Sequence, residues 1–83
     1  MQFEDVYEYV RRRPFERFRL TLTDGRTYDV VHPELIMVGL SSVAVGMPAR
    51  GEGAPPYERV ITVSMSHIMQ IEPVHDAAGQ APS

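Results

Sequence analysis

Residues 17–31 read Arg17-Phe18-Arg19-Leu20-Thr21-Leu22-Thr23-Asp24-Gly25-Arg26-Thr27-Tyr28-Asp29-Val30-Val31. Apolar and polar residues alternate on both sides of Asp24-Gly25, which is the period of a strand rather than a helix. Phe18, Leu20 and Leu22 fall on one face of the first strand, Tyr28 and Val30 on one face of the second. The loop length decides whether those faces coincide. A two-residue loop at Asp24-Gly25 pairs Leu20 with Asp29 and sends the apolar residues to opposite sides, because a slip of one residue inverts a strand. A three-residue loop, Thr23-Asp24-Gly25, pairs Leu22 with Arg26, Leu20 with Tyr28 and Phe18 with Val30. It also puts Gly25 at the left-handed position of a bulged hairpin loop, where glycine is cheapest. The three-residue loop is therefore expected, and with it a mostly β chain.

Upstream, Phe3, Val6, Tyr7 and Val10 are spaced i, i+3, i+4, i+7 and predict a short helix with one apolar face. Arg11-Arg12-Arg13 follows, where cations suit a helix C-terminus, and Pro14 ends the helix. Downstream, His32-Pro33-Glu34 interrupts the second strand and predicts a bend, since proline has no ladder donor. Strand character resumes at residues 35–40, again at 43–46, strongly at 59–65, and last at 68–72 after a tight Ser66-His67 link. Residues 48–56 read as a loop and residues 75–83 as a disordered tail. The expected organisation is one domain over residues 1–74 followed by that tail.

Eighty-three residues make one small domain with a thin core. Such a core makes an oligomeric interface a natural source of extra burial. The chain has no cysteine, which removes disulfides and thiolate metal sites. No apolar run approaches ~18 residues, so no membrane-spanning helix is expected. The acidic start Met1-Gln2-Phe3-Glu4-Asp5 lacks the order of a signal peptide, and a cytoplasmic location is the expectation. The net charge of −3 argues against a general nucleic-acid coat protein. Its distribution is uneven, for residues 1–19 hold five arginines against four carboxylates and residues 27–83 two against six. All eight basic residues are arginine, the side chain that binds phosphate or carboxylate bidentately.

Counting the bent second strand once, the order is a helix and five short antiparallel strands, for which closure into an SH3-like barrel capped by the helix removes exposed edges. This order resembles the Sm-like (Sm/Hfq-type) family of small β-barrels over about residues 3–74. Leu22-Thr23-Asp24-Gly25-Arg26-Thr27-Tyr28 is similar to the first Sm motif. Arg11-Arg12-Arg13 resembles the arginine-rich rim of the Hfq type in place and kind, and Ser66-His67-Ile68 falls where that type has a Lys-His-hydrophobic turn. The resemblance implies a non-enzymatic, homo-oligomeric ring that binds RNA, with Arg11, Arg12, Arg13, Arg17 and His67 as nucleic-acid contacts.

The residues also allow a plainer reading. Arg11–Arg13 complete a helix end and pair with Glu8 or Glu16, Glu8 and Arg12 being spaced i, i+4. His32 and His67 are ordinary turn residues, and His32 with Glu34 is too few ligands for a metal. The methionines at 37, 47, 65 and 69 fill core gaps or face a soft interface. Gly51 and Gly53 precede no helix and form no phosphate loop, and no nucleophile–base order or carboxylate pair is present. No catalytic residue, metal or cofactor is therefore assigned. The alternative function is an SH3-like protein-interaction barrel without nucleic-acid binding, its partner protein unknown.

Overall fold

The structure, a computed structural model, describes residues 1–48 and 57–74. The expected loop at 48–56, apart from Pro48, and the expected tail at 75–83 lie outside the described residues. Helix α1 spans Phe3–Val10. Strands β1 (Phe18–Leu22), β2 (Thr27–Val30), β3 (Ile36–Val38), β4 (Ser42–Pro48), β5 (Tyr57–Ser64) and β6 (Ile68–Pro73) follow, with 3-10 turns at Pro33–Leu35 and Met65–His67.

Helix α1 begins where the Asp5 carboxylate accepts a hydrogen bond from the Gln2 backbone N–H at 3.0 Å, satisfying a donor that the helix leaves free. It buries Val6 and packs Phe3, Tyr9 and Val10 against the core, while Tyr7 is exposed. The two tyrosines flank opposite margins of the apolar face. Phe18 draws in Tyr9, with ring centroids 5.4 Å apart. At the far end the Arg13 guanidinium donates to the carbonyls of Val10 and Arg12 at 3.0 and 2.7 Å, supplying partners to oxygens that a helix terminus leaves without one.

The hairpin has the expected register. Phe18 pairs with Val30 and Leu20 with Tyr28. Leu22 N–H donates to Arg26 O at 2.8 Å and Gly25 N–H to Leu22 O at 2.9 Å. Gly25 has φ +94°, and a Cβ built there meets nothing within 4 Å. Gly25→Ala is therefore expected to cost about 1–2 kcal/mol through backbone conformation alone. Gly25→Asn should cost less, since asparagine tolerates the left-handed region. Urea denaturation of the two variants checks the order.

The expectation of five strands closing one barrel is corrected. Among the described residues, six strands form two antiparallel sheets, ordered β2-β1-β6 and β3-β4-β5. Pro33 supplies no N–H, and the 3-10 turn at Pro33–Leu35 breaks the bent strand into β2 of one sheet and β3 of the other. At the opposite seam, β5 and β6 meet only through the Met65–His67 turn and are not hydrogen-bonded to each other. Among the described residues the barrel is not closed. One core nevertheless joins both sheets and the helix: Val6, Phe18, Leu20, Leu22, Val30, Val43, Val45, Val63, Met65 and Ile68 form a single buried cluster. Among the described residues, no helix is long and apolar enough to cross a membrane.

Candidate functional site

The arginines proposed as nucleic-acid contacts gather where α1 runs into β1. The helix ends at Val10, so Arg12 lies outside it and the i, i+4 pairing with Glu8 does not form. Glu8 instead approaches Arg11 at 3.7 Å, and Arg12 turns to Glu16 at 3.6 Å. The Arg12 guanidinium also lies 4.1 Å above the Tyr9 ring, which is within cation–π range. Arg13 is held by the helix-end carbonyls. Arg17 immediately precedes β1, and its carbonyl accepts from Val74 N–H at 2.9 Å. The pairs with Glu8 and Glu16 are long and exposed, a type worth little in water. Arg11, Arg12 and Arg13 set three guanidinium groups beside those two carboxylates.

His67 is not part of this rim. Its carbonyl accepts from Thr23 N–H at 2.9 Å, at the other end of β1. A five-residue strand separates the two places by roughly 17 Å. His67 instead lines a cleft of about 500 Å³ where the two sheets part. Leu22 and Val63 form its buried floor, Tyr28 and Ile61 are half-buried, and Asp24, Arg26, Ser64 and His67 stand at its mouth. The Asp24–Arg26 corner is hydrogen-bonded within itself. Asp24 accepts from the Arg26 backbone N–H at 3.0 Å and from its guanidinium at 2.8 Å, and that guanidinium lies 3.4 Å from the Tyr28 hydroxyl. The alternation of the hairpin marks Tyr28 as inward. Nothing local marks Ile61 and Val63 as its neighbours, since they come from the other sheet.

The backbone hydrogen bond from Arg26 above all, with its guanidinium adding to it, holds the Asp24 carboxyl below the usual carboxylate range, against a desolvation that raises it. A depressed folded-state value means that the corner adds stability above the ordinary carboxylate pKa. That contribution is lost only as pH falls through the lower folded value. The expected result is that the Asp24 side chain titrates below an aspartate in an unfolded peptide of residues 20–30, with the Arg26 amide shift following it. An NMR titration checks both.

The outer face of the first sheet is a charged lattice. Arg19 donates to Asp29 at 2.7 and 3.2 Å, and stands across the strand pair from Glu72. The hydrogen bond and charge of Asp29 raise the Arg19 pKa further, with Glu72 adding to the effect. This is a structural ion pair. Among the described residues, no group of three histidine, aspartate or glutamate side chains is placed to hold a metal ion. Comparison of the chain with protein-family models, curated proteins and solved structures finds no significant match.

Proposed function

We propose that this chain is a non-enzymatic binding module that accepts an extended strand of another chain at the free edges of its two sheets. The observation that carries this reading is the state of β5 and β6. Each is the outermost strand of its sheet, eight and six residues long, and each carries a large exposed apolar residue, Val60 at 59% and Met69 at 58%. Edge strands are normally blunted by shortness or charge. The edge strands β2 and β3 are short, at four and three residues, but β5 is long and its charges, Glu58 and Arg59, stand only at its start. Strand addition at such an edge gives affinity through main-chain hydrogen bonds. A second copy of this chain is one such partner, as the Sm-like resemblance implies for an oligomer. Hydrogen exchange on dilute and concentrated protein tests it. Protection gained at residues 57–64 and 68–73 on assembly or partner binding supports the reading, and unchanged exchange at both strands rejects it.

A second reading assigns RNA to the Arg11, Arg12, Arg13 and Arg17 rim. It is favoured by the loose neutralisation of Arg11 and by the half-buried Phe15 beside the cluster, an aromatic ring on which a base can stack. On this reading Arg11→Glu with Arg12→Glu abolishes RNA retention and leaves the assembly mass unchanged, as read by native mass spectrometry without prior nuclease. Retention by the double variant sinks the rim.

A further inference from the structure

Tyr28 and Ile61 stand on the inward rows of the two sheets, paired with the buried Leu20 and Val45. Both are nevertheless only half-buried. The reason is topological. Each lies on the last strand of its sheet, β2 or β5, and among the described residues no further strand covers it. Together they wall the cleft of about 500 Å³ that Leu22 and Val63 floor. An apolar body set between them would take that surface out of water, which is favourable. The polar groups of the cleft are already arranged. Both oxygens of Asp24 accept from Arg26, one from its backbone N–H and the other from its guanidinium. That pair therefore offers a ligand no net charge. The Tyr28 hydroxyl lies 3.4 Å from Arg26 Nη1. A guanidinium only donates, so the phenol oxygen accepts there and keeps its own proton. That proton is donated to no described residue.

We propose that this cleft binds a neutral small molecule with a flat apolar body and one hydrogen-bond acceptor, such as a ketone or ester carbonyl. The body lies between Tyr28 and Ile61 over Leu22 and Val63, and the acceptor takes the Tyr28 O–H. The size fits, since sites for small molecules occupy about 300–1,000 Å³. So does the composition, an apolar floor with a few polar groups converging on it. A flat body suits a cleft with an aromatic wall, where rings stack or meet edge to face. Charge excludes an ion. Bringing one onto the Leu22–Val63 floor would strip its water, and the Asp24–Arg26 pair, neutral as a unit, does not offset that loss. His67, the other titratable side chain at the cleft besides Tyr28, is exposed at its lip and not on its floor. The site uses inward side chains and leaves the main-chain edges of β5 and β6 out of its recognition, so it is independent of strand addition.

Prodan (6-propionyl-2-dimethylaminonaphthalene) is a molecule of this kind, and its emission moves to the blue in an apolar site. Titrated into the full chain, it should bind saturably, one molecule to one chain. Amide shifts in proton–nitrogen NMR spectra should concentrate at residues 22–28 and 61–67. Two relatives dissect the contacts. 2-Dimethylaminonaphthalene lacks the carbonyl, and 6-dimethylamino-2-naphthoate carries a carboxylate in its place. Each should bind more weakly than Prodan, by about threefold or more. Tyr28→Phe keeps the ring and removes the hydroxyl. It should weaken Prodan about fivefold and leave 2-dimethylaminonaphthalene unchanged, a difference that a general disturbance of the cleft would not produce. Ile61→Trp fills the cleft and should abolish binding of both, with the circular dichroism spectrum as the check on folding. If that larger ring disturbs the sheet, Tyr28→Phe still decides. No saturable binding up to the solubility limit of Prodan, amide shifts confined to the exposed Met37 or Met69, tighter binding of the carboxylate, or equal Prodan affinity in Tyr28→Phe overturns the proposal.

Discussion

Phe18→Ala removes most of the chain's stability in water at 25 °C. Phe18 is fully buried at the start of β1, paired with Val30 on one side and Pro73 on the other. Its ring lies 5.4 Å from Tyr9 and 5.9 Å from Phe15, in tilted and edge-on arrangements. One side chain thus joins the helix, the segment after it and three strands. Truncating a buried phenylalanine costs about 3–5 kcal/mol. Proteins of this size are stable by about 5 kcal/mol at the low end of the usual range. The loss is therefore comparable with the whole. Urea denaturation followed by circular dichroism measures it, with Leu40→Ala as the control. Leu40 is 79% exposed, and its truncation should shift stability by no more than ~0.5 kcal/mol. A Phe18 variant that loses less than about 1 kcal/mol would show that the core does not depend on this junction.

The second large effect is expected at β4. Val45 is fully buried and pairs with Ile36 on one side and Ile61 on the other. In a central strand each backbone N–H has a partner in one neighbour or the other. Val45→Pro removes one of these bonds, leaves a buried carbonyl without its donor and imposes a φ that the strand does not hold. The expected loss exceeds about 3 kcal/mol, so the unfolding midpoint should fall to a small fraction of its original urea concentration. Thr27→Pro provides the contrast. Thr27 is the exposed first residue of the edge strand β2, a position that tolerates proline, and this variant should keep a clear transition. Equal losses at the two positions would be incompatible with β4 in the middle of its sheet.

The hairpin was readable because its information is local. Alternation over residues 18–30 and a glycine able to take φ +94° leave one register that puts Phe18, Leu20, Leu22, Tyr28 and Val30 together. The helix was readable from its spacing, although the choice of Tyr9 over Tyr7 as the inward ring required Phe18 to be in place. The arginine cluster was visible as composition, but its partners were not. Where the helix stops sets whether Glu8 meets Arg11 or Arg12, and that end shifts with a single residue. His67 is grouped with the arginines only by the Sm-like resemblance, yet it lies a full strand length from them.

The elements and their facing residues therefore follow from contacts within a few positions along the chain: turn geometry, strand alternation and proline's missing donor. How those elements associate follows from contacts between residues far apart in sequence. Among these are the division into two sheets instead of one closed barrel, the unpaired seam between β5 and β6, and the cleft between Tyr28 and Ile61. The exposure of Met37 and Val60 on β3-β4-β5 belongs with them. Alternation tells which side of a strand is apolar, but only the packing of all six strands and the helix shows which apolar side chains are left uncovered.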